Sequence, residues 1–323
     1  IVDLNLSPDV VVLHWISGFV TINDITQIKK KFNCEIFWYA MDMSPFTGGC
    51  HFSWGCDEYK NSCQKCPAVK NILYKNIPNE FFLNKRQALI DANVSIIAPN
   101  KWVRKQVVQS ALQFNKIELC YLPLSKLTFV PREKGASKEF RIFFGAQNIS
   151  DVRKGAEYFI KAMEELKEIL EKKGPHIFTP IIVLPGLVES EIDALLPFDV
   201  KRVPYASTEE KLSRMYQSSD VFICTSIEDS GPMMVCESLM SGVPVIGFKM
   251  GICPELITDG YNGYVIELKN SKKLANTIYQ YSRKSMEERR VYSQNARQSV
   301  VSLMSFEAHS EKLLSIISNK TID

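Results

Sequence analysis

Residues 226–247 read Ser226-Ile-Glu-Asp-Ser-Gly-Pro-Met-Met-Val-Cys-Glu237, then Ser-Leu-Met-Ser-Gly-Val-Pro-Val-Ile-Gly247. Two adjacent acids, Glu228 and Asp229, lead through Gly231 and Pro232 into a short apolar helix. The helix carries one acid, Glu237, and stops at Gly242; a buried strand over 243–248 follows. Pro232 suits a first helical turn, where its missing N–H would be unbonded anyway. The N–H groups of Met233, Met234 and Val235 then form an anion site, reinforced by the helix dipole. Asp229 and Glu237 lie eight positions apart across that helix start. Amides for phosphate and a carboxylate for ribose hydroxyls together suit a nucleotide diphosphate. The competing reading makes Asp229 or Ser230 a helix N-cap and Glu237 a solvated helix residue.

The stretch resembles the acid-x7-acid motif of the retaining GT-B glycosyltransferases of family 4. The resemblance extends upstream through Met215-Tyr-Gln-Ser-Ser-Asp-Val-Phe-Ile-Cys-Thr-Ser226 and downstream through Gly251-Ile-Cys-Pro-Glu-Leu-Ile-Thr-Asp-Gly-Tyr-Asn-Gly-Tyr-Val265. It implies that Glu237 holds the ribose of a sugar nucleotide, that Asp229 faces the transferred sugar, and that the intervening amides hold phosphate. The family's first acid is usually Glu, so Asp229 is a departure.

Strand-like and helix-like runs alternate along almost the whole chain. In the first half, strands are expected at 10–13, 34–39, 94–99 and 116–122, with helices at 21–32, 79–91 and 101–110. In the second half, strands are expected at 140–145, 180–184, 200–203, 221–225, 243–248 and 264–266, with helices at 154–173, 207–218 and 270–283. Continuous Val/Ile/Phe-rich strands between helices indicate buried parallel sheets. The expectation is an α/β chain of the GT-B class, with two Rossmann-like doubly wound domains facing a cleft. The first domain would be 1–130, acceptor-side. The charged run Pro131-Arg-Glu-Lys-Gly-Ala-Ser-Lys-Glu139 would be a linker. Residues 140–304 would bind the nucleotide sugar, and a final helix within 305–323 would cross back to the first domain. Family members open with a strand and a glycine-rich loop. This chain resembles them from the third or fourth strand onward, which implies an incomplete first domain.

A second basic element follows the strand at 140–145: Phe143-Phe-Gly-Ala-Gln-Asn-Ile-Ser-Asp-Val-Arg-Lys-Gly155. A strand, a turn at Gly145 and a Lys at the next helix start would set cations over a diphosphate. A basic pair is electrostatically unfavourable at a helix N-terminus, which favours a functional reading over a solvated one. The resemblance assigns Lys154 to the catalytic set. The family's early basic position falls on Gln147, and Arg153 is the substitute.

Asp42-Met-Ser-Pro-Phe-Thr-Gly-Gly-Cys-His51 is followed by Cys56, Cys63 and Cys66. Cys50, Cys56, Cys63 and Cys66 offer four thiols for a structural Zn²⁺, with His51 as a spare ligand; four reduced cysteines in a loop are the alternative. The segment resembles a Thr-Gly-Gly-Cys-His subgroup of family 4, which implies polysaccharide or glycolipid biosynthesis and places Asp42 in the catalytic set. Many members carry His immediately before that Asp; here it is Met41. His14, after the first strand, is another candidate.

The chain has 323 residues and a formal net charge of +3, too small an excess to suggest nucleic acid as a partner. No run of about 18 apolar residues occurs, so no spanning helix is expected. Nine cysteines without a secretory signal predict reduced thiols and a cytoplasmic location. The expected partners are a nucleotide-sugar donor and a glycan or lipid-linked acceptor, with peripheral membrane association at the inner face. No catalytic divalent metal is expected. The sequence therefore points to a retaining glycosyltransferase. A non-catalytic GT-B subunit that binds sugar nucleotide or a partner protein, and a sugar-nucleotide epimerase, are the rivals.

Overall fold

The computed structural model describes residues 7–133, 135, 137–146, 148–174, 178–186 and 191–318. The chain forms two compact units. One runs to Leu122 and takes in the chain again from Ser310; the other is Pro123–His309.

The first unit is built on β1 (Val10–Leu13), α1 (Ile22–Phe32), β2 (Glu35–Tyr39), α2 (Ile77–Asp91), β3 (Ser95–Ala98), α3 (Lys101–Gln109) and β4 (Ile117–Leu119). Its strands pair in parallel in the order β1-β2-β3-β4. Thr21 and Asp24 close a capping box at the start of α1, satisfying two otherwise orphaned backbone donors. One face of the sheet buries Ile36, Trp38, Ile96 and Ala98 against Phe82, Leu89 and Val103. Near the chain's end, Ile316 packs with Phe37, Tyr39, Ile97 and Cys120.

The second unit contains β5 (Glu139–Phe144), α4 (Ala156–Lys173), β6 (Thr179–Pro185), α5 (Glu191–Ala194), β7 (Asp199–Val203), α6 (Glu209–Gln217), β8 (Val221–Cys224), α7 (Met233–Met240), β9 (Val245–Phe248), α8 (Cys253–Leu256), β10 (Gly263–Ile266), α9 (Ser271–Ser282) and α10 (Met286–Met304); the last helix is α11 (Phe306–Ile317). The six strands are all parallel, in the order β10-β9-β8-β5-β6-β7. Every residue of β8 and β9 is buried, as a sheet covered on both faces requires. Phe144 on β5 stacks on Phe159 of α4 at 4.1 Å, joining sheet and helix within the main core.

The strand order reverses between β5 and β8. In a doubly wound sheet that point opens a crevice at the carboxyl ends of the two strands. The residues leaving β5 and β8 are those singled out above.

Two expectations change. The units divide at Leu122, ahead of residues 131–139, because the chain is already fixed in the second unit before that run. Arg297 donates to the carbonyls of Lys126, Phe129 and Met240 at 2.8, 2.5 and 2.7 Å, and Gln217 to that of Val130 at 2.9 Å. The second change is α10, a 19-residue helix for which no element was expected. A Ser285–Glu288 capping box starts it, and Tyr292, Ala296, Val300 and Met304 form its buried stripe.

Arg297 holds three carbonyls at once through the two terminal nitrogens of its planar guanidinium. Arg297→Ala should lower the unfolding free energy by about 3 kcal/mol or more, since each of the three stranded acceptors costs about 1–3 kcal/mol. Urea unfolding measures this; a change below about 0.5 kcal/mol, the range of an ordinary surface substitution, would contradict the role given to Arg297.

Candidate functional site at the switch point of the second unit

The loop after β5 is shaped by Asp151. Its carboxylate accepts the Arg153 N–H at 3.0 Å and its carbonyl accepts the Lys154 N–H at 2.8 Å. Gly155 then turns with φ +65°, and a Cβ there would lie 2.1 Å from the Thr225 carbonyl oxygen. Only glycine permits that approach. The two loops are further joined by Thr225 Oγ1 donating to the Lys154 carbonyl (2.9 Å) and by the Ile227 N–H donating to the Arg153 carbonyl (2.8 Å). This brings Lys154 Nζ to 2.6 Å from Asp229 Oδ2, with the Asp229 side chain 9% exposed and that of Lys154 24% exposed. The other Asp229 oxygen accepts the Gly231 N–H at 3.0 Å. Arg153 directs its guanidinium to Asp151 at 2.5 Å. Gln147 lies outside the described residues.

Helix α7 begins beside this pair. Pro232 is its N-cap, just outside the first turn, and no side chain caps the helix. The Val235 N–H donates to the Pro232 carbonyl at 3.0 Å. Val235 therefore drops out of the expected trio of anion donors, because the turn closes back on the cap. The amides of Met233 and Met234 have no acceptor among the described residues. Gly145 sits close by: a Cβ there would be 3.3 Å from Met234 Cε. Gly251, at φ +55°, backs the turn, since a Cβ there would meet the Asp229 carbonyl at 2.8 Å.

Glu237 lies one turn further along α7. The fully buried Tyr216 donates to its Oε2 at 2.8 Å. Burial raises the Glu237 carboxyl above its ordinary value, against the lowering effect of the Tyr216 bond. Burial also pushes the Tyr216 phenol far upward, with the Glu237 charge adding to it. Tyr216 therefore stays a donor at any physiological pH, and Glu237 is held as an acceptor rather than left in solvent.

In the first unit, Asp42 is 3% exposed. Its Oδ1 accepts the Ser44 N–H at 2.7 Å and its Oδ2 lies 2.6 Å from His51 Nδ1. His14 stacks on Tyr39 with ring centroids 5.3 Å apart. Cys50, Cys56, Cys63 and Cys66 line one small cavity together with Thr47, Tyr59 and Pro78. Yet among the described residues no three His, Cys, Asp or Glu side chains close into a metal-binding group. The zinc expectation thus has no structural support. The loop is also not held by its thiols alone: Phe46, Tyr59 and Cys63 belong to the hydrophobic core. Lys85 also pins the loop, donating to the Ser44 and Thr47 carbonyls at 2.6 and 2.8 Å. Burial presses the Lys85 ammonium down to about 8 and pushes the Cys63 thiol up to about 11.

Residues 129–299, more than half of the chain, match the family described as glycosyl transferases group 1. The chain belongs to that family. The group 1 chain is 25% identical over 255 residues to N-acetyl-alpha-D-glucosaminyl L-malate synthase of Bacillus anthracis, a match covering 77% of this chain and 61% of the relative. It therefore spans about three fifths of that relative's length. Its fold matches sucrose-phosphate synthase from Thermosynechococcus elongatus with a TM-score of 0.70, at 15% identity over 96% of this chain and 73% of the other. It matches Anabaena HepE in complex with UDP and glucose with a TM-score of 0.65, at 16% identity over 96% of this chain and 77% of the other. The expected α/β class with two parallel sheets of the GT-B type is thus shown. Among the described residues, no helix of this group 1 chain is long and apolar enough to cross a membrane.

Sequence reasoning missed Tyr216 and Lys85. Tyr216 stands within the quoted upstream stretch but has no charge to draw notice. Lys85 was detectable, since Phe82, Lys85 and Leu89 share the i, i+3, i+7 stripe of α2 that faces the core.

The raised Glu237 carboxyl has a stability consequence. Above the ordinary carboxylate value of 4.5, the folded chain keeps a proton that the unfolded chain has released. The stabilising contribution is complete below 4.5 and is lost as pH rises through the raised folded value. Glu237→Gln carries no such proton, so its unfolding free energy should fall less over that window than the unaltered chain's. Urea unfolding at a series of pH values compares the two; parallel profiles would contradict the burial effect.

Proposed function

We propose that the chain transfers a sugar from a nucleotide-diphosphate sugar to a glycan or lipid-linked acceptor, with retention at the anomeric carbon. The observation that carries this is the Lys154–Asp229 pair, set at the switch point beside the unbonded Met233 and Met234 amides. Lys154 and the two amides offer positive charge and donors to a diphosphate, and the helix dipole adds to them. Glu237, aimed by Tyr216, would take ribose hydroxyls through charge-assisted bonds. Asp229 would face the transferred sugar while it fixes the Lys154 ammonium. Arg153 would act through Asp151 on the shape of the loop, and Gly145 would leave room over Met234.

In this reading the C1–O bond to the diphosphate breaks and its electron pair stays with the leaving group. The acceptor oxygen bonds to C1 on the same face, and its proton passes to the departing phosphate. The structure of HepE with UDP and glucose, from a protein of like fold, is in keeping with a nucleotide-sugar donor. Incubation with a panel of uridine and guanosine diphosphate sugars, followed by assay of released nucleotide and the anomer formed, tests the proposal. An inverted product would remove retention. An epimerised sugar nucleotide without glycoside would favour the epimerase. Nucleotide binding without transfer to any acceptor would favour a non-catalytic subunit.

Two substitutions separate the roles. Lys154→Ala should lower the transfer rate by about 100-fold or more, the scale of losing one pre-aimed donor to a leaving group. Glu237→Gln should weaken nucleotide diphosphate binding by about tenfold or more, the loss of a charged hydrogen bond. Calorimetric titration and steady-state rates measure these; unchanged values in either variant would remove that residue from the site.

A further inference from the structure

Asp42 is almost wholly buried, and each of its oxygens already holds a partner. What it holds is more telling. A carboxylate only accepts hydrogen bonds, so the bond to His51 places a proton on Nδ1, and in the neutral imidazole Nε2 is then the acceptor. The Met43 N–H donates to the His51 carbonyl at 3.1 Å, fixing the backbone as well as the ring. The 42–51 loop does not need His51 for its shape. Lys85 ties it from below. The Gly48 N–H donates to Cys63 Sγ at 3.2 Å and Thr47 Oγ1 to the Cys50 carbonyl at 2.8 Å.

The His51 side chain is 39% exposed. Trp15, 56% exposed, stacks on it with centroids 4.8 Å apart and planes 15° from parallel. Trp15 follows β1 and Asp42 follows β2, adjacent parallel strands in register at Leu13 and Trp38. The pair therefore stands at the carboxyl ends of the sheet, where α/β units bind ligands. An exposed indole beside one oriented hydrogen-bonding atom suits a ligand with an apolar face and hydroxyl edges. A pyranose has that chemistry.

We infer that Trp15 and His51 form a pyranose subsite on the first unit. The Trp15 indole packs against the C–H face of the ring. His51 Nε2 accepts a hydrogen bond from a ring hydroxyl, and Asp42 is the positioning residue that fixes the imidazole. Resting on the glycosyltransferase reading, the pyranose is assigned to the acceptor, because the donor-binding groups all belong to the second unit.

The test uses the full chain without nucleotide. Only four histidines occur, so long-range ¹H–¹⁵N spectra resolve the imidazoles. The probes are the methyl glycosides of glucose, galactose, mannose and N-acetylglucosamine, with uridine diphosphate glucose and guanosine diphosphate mannose as a separate arm. The expected result is an Nδ1-protonated His51 whose Nε2 signal, with the Trp15 indole N–H, shifts saturably with at least one methyl glycoside. His51→Gln, an exposed and mild change, should weaken that binding by about tenfold, equivalent to about 1.4 kcal/mol. Asp42→Asn should populate the other His51 tautomer and weaken binding similarly; a merely structural Asp42 would leave the tautomer unchanged. Methyl glycosides that move neither residue, or that bind His51→Gln as well as the unaltered chain, would overturn the subsite. Shifts with nucleotide sugars alone would overturn its assignment to the acceptor. Nucleotide binding is measured on the same samples, so failure of the donor reading shows separately.

Discussion

The contact on which the site depends is the close approach of Gly155 to the Thr225 carbonyl. A side chain at position 155 would collide with that oxygen, so the loops leaving β5 and β8 lie together only because residue 155 is glycine. Once they are together, main-chain and hydroxyl bonds from Ile227 and Thr225 lock the register, and Lys154 reaches a mostly buried carboxylate. A lysine–aspartate pair withdrawn from solvent keeps its geometry without the rotamer freedom that weakens surface pairs. The sheet order is the wider condition: β5 and β8 are neighbours in space because the strand order reverses between them.

The same economy of polar groups recurs in the first unit. Lys85 and Asp42 are both buried: Lys85 gives its hydrogen bonds to the main chain of one loop, and Asp42 divides its own between that main chain and His51. That loop carries four cysteines, but its order comes from the lysine and from Phe46, Tyr59 and Cys63 in the core. In each unit a candidate ligand-binding group is oriented by a buried partner: Lys154 by Asp229, His51 by Asp42. Glu237, held by Tyr216, follows the same pattern.

The strands and the loops that carry the candidate site in the second unit are legible because their signals are local. Val/Ile/Phe runs mark doubly covered strands, and the Asp229-to-Glu237 spacing brackets a helix start whatever the rest of the chain does. What escaped depends on distant partners or weak contrast. Helix α10 buries only every fourth residue, with an alanine among them, so its apolar stripe is faint against a charged background. The sequence places Val235 among the anion donors because it does not show that Pro232 stands outside the helix as its cap. The cysteine spacing suggested metal because it is the most conspicuous feature of that loop, whereas Lys85, which holds the loop, is 38 residues further on from Thr47.

The central claim is that the α7 N-terminus and the Lys154–Asp229 pair together receive a diphosphate. Amide spectra of the chain labelled at methionine and valine test it most directly, titrated in turn with uridine and guanosine diphosphate. The account predicts that the Met233 and Met234 N–H signals move downfield and saturate with one of these nucleotides, while Val235, already bonded to Pro232, shifts little. Saturable nucleotide binding that leaves Met233 and Met234 unmoved would place the diphosphate elsewhere and contradict the account.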